Sequence, residues 1–318
     1  MSTCSRRSFL KRSAGFAAAA GIGLGAGGCP KKEPTAAGRG VKWRYAMCNE
    51  SMRELPWAEQ CKIVGEAGYQ GVEIAAFTLV KEGVGEITPA QRKEMVAAMD
   101  DAGIVCTGLH WLLTPPPAGL HFTTPDKTVR DTTVAYLRDL IDFCGDLGGT
   151  AMIFGSPKQR STAGISVDEA KKYFAEGLAA VADQAQGRGV VIMIEPLDKS
   201  QTDVVNVTSE AVEMVKQINH PAIQTMFDFH NTVDETEPFD VVIRTYYPNI
   251  RHVHVQEMDG KYLGTGDGRT AFVKAFQTLK ELEYDKWVSL EVFDFSPGGR
   301  TIAVESMKVL REIESKLT

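Results

Sequence analysis

Four apolar segments of the sequence end in side chains that bind metals or carry protons. They are IEPL with Glu195, FDFH with Asp228 and His230, HVHVQE with His254, and SLEVF with Glu291. Three carboxylates and an imidazole gathered away from water cannot all keep their ordinary charge states. Desolvation and like-charge repulsion push some toward protonation, and a divalent cation removes that conflict. Carboxylate oxygens with one imidazole nitrogen suit Mn²⁺, Mg²⁺ or Co²⁺, and Zn²⁺ is also compatible. Glu195, Asp228, His254 and Glu291 are therefore the candidate metal ligands. Any one of them alone reads as a satisfied buried polar residue; the set, in register on consecutive segments, is what points to a metal. Strand side chains alternate between faces, so Asp228 and His230 are expected on one face, with His230 one step further out and toward a substrate. His252 and His254 share a face in the same way, and His252, one layer deeper, is expected to support rather than to ligate.

A run of strands must position these residues. From Trp43 onward, a short apolar run, a loop, an amphipathic helix and a Gly-containing turn recur. The strand candidates are WRYAMCNE, GVEIAAF, IVCTGLHWLL, TAMIFGS, VVIMIEPL, IQTMFDFH, IRHVHVQEM and WVSLEVFDF. Helical spacing marks PWAEQCKIVGEAG, TPAQRKEMVAAMDDAG, TVRDTTVAYLRDLIDFCGDLGG, SVDEAKKYFAEGLAAVADQAQGRG, TSEAVEMVKQI, RTAFVKAFQTLKELEYD and IAVESMKVLREIESKL. In TPAQ, a threonine cap precedes a proline in the first turn. Glycine recurs just before the next strand in EAGYQG, DAGI, LGGT and GRGV, as helix C-caps require. Strands alternating with helices imply parallel βαβ units, and eight such strands fit a single (β/α)8 TIM barrel. An open doubly wound sheet predicts a GxGxxG turn after its first strand, and none follows the first strand here. GTGDG, Gly264 to Gly268, lacks the lysine of a P-loop. Barrel active sites lie at the C-terminal ends of strands, which is where strands five to eight carry the four ligand candidates.

Composition narrows the partners. The chain has 318 residues and a formal net charge of -6, which disfavours a phosphate backbone; no nucleic-acid partner is expected. SRRSFLK, Ser5 to Lys11, is a twin-arginine block followed by a short apolar run, Ala14 to Gly28. That is the layout of an export signal, and residue for residue it resembles a Tat signal. AGGC, Ala26 to Cys29, looks like a lipoprotein cleavage box, so a lipid anchor at Cys29 is expected. The expected organisation is a signal peptide over 1–29, a tether over 30–42 and the barrel over 43–318. Export would place the protein in the periplasm or on the outer face of the membrane, with the Tat machinery as a partner. Cys48, Cys61, Cys106 and Cys144 show no CxxC spacing and are expected as buried thiols.

The pattern as a whole resembles the xylose isomerase-like TIM-barrel superfamily. Within it, the chain is similar to the sugar phosphate isomerase/epimerase group that includes ketose 3-epimerases and hydroxypyruvate isomerases. The resemblance implies that Glu195 and Glu291 both bind metal and move protons, on a keto- or aldo-sugar, through an enediolate. Export in the folded state, which the Tat resemblance implies, would let the metal load in the cytoplasm and makes Mn²⁺ the expected ion. Three departures set the chain apart from ketose epimerases. Gln201 stands where they usually have a second glutamate, Gly260 followed by Lys261 stands where they have an arginine, and the Asp228–His230 spacing is one residue shorter.

Further mouth candidates are His110 and Trp111 beside a sugar, Glu257 near the ligand histidine, and Lys158 with Arg160 for an anionic substrate. Glu73 is read as reaching the pocket or supporting a ligand, and Arg300 lies where barrels often bind phosphate. Barrels of this group often associate, so a homo-oligomer is an expectation of the resemblance. Alternatives left open are a metal-dependent lyase or hydratase, a metal-dependent hydrolase, and a sugar-binding protein without turnover.

Overall fold

The computed structural model describes residues 40–266 and 268–318. The twin-arginine block, the Cys29 box and most of the tether lie outside the described residues. Eight parallel strands close on one another in chain order: β1 Arg44–Cys48, β2 Gly71–Ala75, β3 Val105–His110, β4 Ala151–Phe154, β5 Val191–Ile194, β6 Ile223–Asp228, β7 Ile250–Val255 and β8 Trp287–Leu290. Closure comes from the β1–β8 pair, with Arg44 opposite Trp287 and Met47 opposite Leu290. A closed sheet leaves no strand edge unpaired. The architecture is the (β/α)8 barrel expected from the sequence.

The helices follow their local signals. They are α1 Trp57–Ala67, α2 Pro89–Asp101, α3 Lys127–Asp146, α4 Val167–Gly187, α5 Thr208–Ile218, α6 Phe239–Tyr246, α7 Arg269–Glu281 and α8 Gly299–Ser315. Thr88 begins α2 with a reciprocal cap: its side chain accepts from the Gln91 N–H, and the Gln91 side chain accepts from the Thr88 N–H. Asp126 and Ser166 cap α3 and α4 in the one-way form. Gly68 ends α1 in the left-handed region at φ 98°, which only glycine adopts without strain. The sequence pattern did not reveal α6. It has 8 residues, is preceded by Pro238, and offers barely two turns of periodicity.

Burial separates the two faces of the sheet. Val72, Leu109, Met152, Phe154, Ile192, Ile194, Phe227, Val253, Val255, Val288 and Leu290 join the large core between strands and helices. Their neighbours on the opposite face divide by height. Ala151, Ile153, Met193 and Met226 form a small apolar cluster inside the barrel. The polar residues lie beyond it toward the strand C-termini. Each fully buried aliphatic or aromatic side chain contributes about 1.5–3 kcal/mol relative to exposure, which offsets the cost of a polar interior. The four cysteines among the described residues are free and buried, as expected.

Candidate metal centre and active site

Alternation fixes which residues look inward. Because Phe227, Val253, Val255, Val288 and Leu290 face the helices, Asp228, His252, His254, Ser289 and Glu291 face the barrel interior. Register then brings them level: Asp228 pairs with His254, and His254 with Ser289. Glu195 follows the last residue of β5. Potential ligand atoms of Glu195, Asp228, His254 and Glu291 all lie within 4.8 Å of one another. All four side chains are buried. The expected quartet is thus assembled at the C-terminal mouth.

Neighbours aim each ligand. His254 Nδ1 is 3.0 Å from Glu291 Oε2 and 3.8 Å from Asp228 Oδ2. The other ring nitrogen, Nε2, donates to Glu73 Oε1 at 2.8 Å. The Asn231 amide donates to Glu195 Oε1 and to Asp228 Oδ2, both at 3.0 Å. The His230 backbone N–H adds a 2.6 Å bond to Asp228 Oδ1, and the Trp111 indole N–H donates to Glu291 Oε1 at 2.6 Å. Gln256 approaches Asp228 at 3.3 Å.

The electrostatics are unequal across the quartet. Burial, then the charges of Glu291 and Asp228, push the Glu195 carboxyl well above the usual carboxylate range. Burial and Glu291 raise Asp228 as well. Burial also opposes ionisation of Glu291, but the His254 charge and hydrogen bond, with His110 and Trp111, outweigh it and lower its pKa. Burial works against a charged His254, yet Glu73 and Glu291 raise it well above the ordinary histidine value. A divalent cation among these carboxylates would relieve the like-charge repulsion that raises Glu195 and Asp228. The donor set, three carboxylates and one imidazole nitrogen with a carboxylate behind it, fits a hard or borderline divalent cation.

The xylose isomerase-like TIM barrel family model matches residues 61–313. The chain belongs to this family. Among curated relatives, the D-psicose 3-epimerase of Ruminiclostridium cellulolyticum is 27% identical over 258 residues, covering 79% of this chain and 82% of that protein. Among solved structures, D-psicose 3-epimerase with D-tagatose from Clostridium cellulolyticum superposes with a TM-score of 0.74 at 22% identity, covering 86% of this chain and 99% of the other. A 3-keto-D-glucoside 4-epimerase from E. coli superposes at 0.70 with 17% identity, covering 86% and 100%. Resemblance at these structural identities speaks to the fold.

Within the family frame, the structure relocates several expected site residues. His230 is not on a strand: β6 stops at Asp228, and His230 opens a short 3-10 turn, His230–Thr232. Alternation therefore does not aim its ring. Instead Nδ1 bonds the Met258 carbonyl oxygen at 2.9 Å, and the ring lies 5.0 Å from that of Phe293. Trp111 is half-buried at a left-handed φ of 50° and acts on Glu291 rather than only lining a sugar pocket. His110 is buried, with Nε2 against Glu50 Oε1. Glu257 is buried and accepts the Gly264 N–H at 2.6 Å, so it holds the turn after β7. Lys158 is exposed, and Arg160 is fully buried. Arg160 donates to the Glu195 carbonyl oxygen at 2.6 Å, and burial lowers its pKa to about 10. The paired cationic rim expected of Lys158 and Arg160 is not what forms. Arg300 pairs with Glu66 on α1 at 3.0 Å.

The departures from ketose epimerases also have a structural reading. The Gln201 amide donates to Asn231 Oδ1 at 2.7 Å, and so braces the residue that holds Glu195 and Asp228. Gly260 adopts φ 78°, and a Cβ there would meet Phe293 at 2.9 Å. Phe293 takes the space that a longer side chain at 260 would need. Together with Phe77, Trp111 and His230 it forms a strip of ring contacts at 6.3, 6.0 and 5.0 Å. Asn231, Gln256, Glu50 and Phe293 were missed in the sequence. Only Asn231, directly after FDFH, sat where a signal was already visible.

Proposed function

We propose that the chain is a divalent-metal-dependent sugar epimerase or isomerase that shifts a proton on a carbon beside a carbonyl. One observation carries this reading: Glu195 and Glu291, carboxylates able to exchange protons, share one buried cluster with Asp228 and His254 in which the potential ligand atoms all lie within 4.8 Å of one another. A divalent ion held by Glu195, Asp228, His254 and Glu291 would polarise a hydroxy-ketone through its oxygens and acidify the C–H between them. One of Glu195 and Glu291 accepts that proton, and the other returns one from its own side. Return to the opposite face epimerises the carbon; return to the neighbouring carbon interconverts aldose and ketose.

The substrate reading is a free or glycosidic sugar rather than a phosphorylated one. Two of the three cations first read as anion-binding are engaged elsewhere, Arg160 on the Glu195 carbonyl and Arg300 on Glu66, while Lys158 is exposed. The Phe77–Trp111–Phe293–His230 strip offers instead flat faces for the apolar side of a sugar. Relatives named as ketose 3-epimerases support the class. The test is a Mn²⁺-loaded panel of D-psicose, D-tagatose, L-ribulose and a 3-keto-glucoside, with products followed by NMR. A new epimer or isomer from any of them is expected. No product across the panel from metal-loaded protein contradicts the reading. The twin-arginine leader supports activity outside the cytoplasm: Arg6→Lys with Arg7→Lys should retain the protein in the cytoplasmic fraction, and unchanged export would refute this.

A further inference from the structure

Glu73 lies on β2, across the barrel from the metal-ligand quartet, and is 0% exposed. Both of its oxygens are taken. Oε1 accepts from His254 Nε2 at 2.8 Å; Oε2 accepts from Ser289 Oγ at 2.6 Å and lies 2.8 Å from His252 Nε2. His252 Nε2 and Ser289 Oγ are themselves 3.0 Å apart, so the three groups brace the carboxylate from one side. We propose that Glu73 is the positioning residue that dictates which nitrogen of His254 faces the metal, an inference that rests on the metal reading above.

The argument is one of donors and acceptors. An ionised carboxylate has no proton to give, so a histidine bonded to it must present an N–H. Nδ1 also lies 3.0 Å from the Glu291 carboxylate, but Glu291 is itself a candidate ligand: an ion held between the two would take the Nδ1 lone pair and leave the N–H at Nε2, toward Glu73. Nδ1 is the atom that faces Glu291 and Asp228. Glu73 therefore fixes both the tautomer and the ring plane, while Ser289 and His252 fix Glu73. A purely space-filling role needs no carboxylate. Lower in the same barrel, Ala151, Ile153, Met193 and Met226 fill the interior with apolar side chains. A carboxylate accepts on both sides, whereas an amide at position 73 accepts on one only: its NH₂ turned toward His254 would place the N–H at Nδ1, against the ion, and turned the other way it would require Ser289 and His252 to stop donating there.

Mn²⁺ titration of the purified protein without sugar, with free Mn²⁺ read by EPR, tests this. Glu73→Gln is expected to weaken Mn²⁺ binding by about 10–100-fold, while the metal-free protein still unfolds cooperatively. Ser289→Ala keeps the carboxylate but removes one of its donors, and should weaken binding by a smaller factor. In Zn²⁺-loaded, ¹⁵N-histidine-labelled protein, His254 should show a protonated Nε2 and a metal-bound Nδ1, a signature that Glu73→Gln disrupts. If Glu73→Gln does not fold, Ser289→Ala and the wild-type ¹⁵N signature decide. Equal Mn²⁺ affinity in wild type and the folded variants, or a protonated Nδ1 in the loaded wild type, overturns the inference and leaves the metal reading intact. Wild-type protein that takes up no divalent ion overturns both.

Discussion

In the proposed reaction Glu195 and Glu291 carry the chemistry, and their neighbours set how each behaves. Glu195→Gln should lower turnover by about 10²–10⁴-fold, the usual contribution of a positioned acid or base; steady-state kinetics on whichever sugar is turned over checks this. Trp111→Phe keeps a ring in place but removes the 2.6 Å donor to Glu291. That hydrogen bond lowers the Glu291 pKa, so its loss raises it. The acid limb of the pH–rate profile should move to higher pH, with kcat down about tenfold, the low end for lost support of a ligand. An unmoved limb would show that the indole only packs. The four ligand residues were legible because each closes an apolar run. His230 was misplaced because the alternation rule was carried two residues past the point where the strand becomes a turn. The Asn231 amide reaches Glu195 and the Gln256 amide reaches Asp228 from positions distant in sequence, and no local pattern announces those contacts.

At the level of elements, the eight strands and their order were readable from apolar runs and glycine stops, and parallel pairing followed from the alternation with helices. The sixth helix, α6, was too short to show a period. Loop residues were the least legible. Arg160 looks like a rim cation in GSPKQR, but the turn after β4 folds it inward onto the Glu195 carbonyl. Gly260 looked only like a missing arginine until Phe293 was seen in its space. The reciprocal Thr88–Gln91 cap of α2 gives a clean test at this scale. Thr88→Ala should cost about 1 kcal/mol of stability, as loss of an N-cap typically does, measured by urea unfolding. Activity at low urea should be unchanged, because α2 contributes nothing to the mouth cluster.

For the whole molecule, the metal-free cluster couples stability to pH. Glu195, Asp228 and His254 all have pKa values raised above their ordinary values. The folded chain therefore binds these protons more tightly than the unfolded chain, and that stabilisation is full at low pH and declines as pH rises. Glu73 and Glu291 are shifted downward and stay ionised near neutrality, so they do not oppose the trend there. A divalent ion must displace the bound protons, so its stabilising effect grows with pH. The rise in Tm on adding Mn²⁺ to EDTA-treated protein should be larger at pH 8 than at pH 6. An increment that shrinks with rising pH would contradict the assigned protonation.

The most direct measurement of the central claim is solvent deuterium wash-in. Metal-loaded protein would be incubated in D₂O with keto- and aldo-sugars, 3-keto sugars included, and followed by NMR. Deuterium entering at a carbon beside a carbonyl, and failing to enter with Glu195→Gln, is the expected result. No incorporation into any of these sugars, with metal bound at the mouth, would contradict proton-transfer catalysis by Glu195 and Glu291.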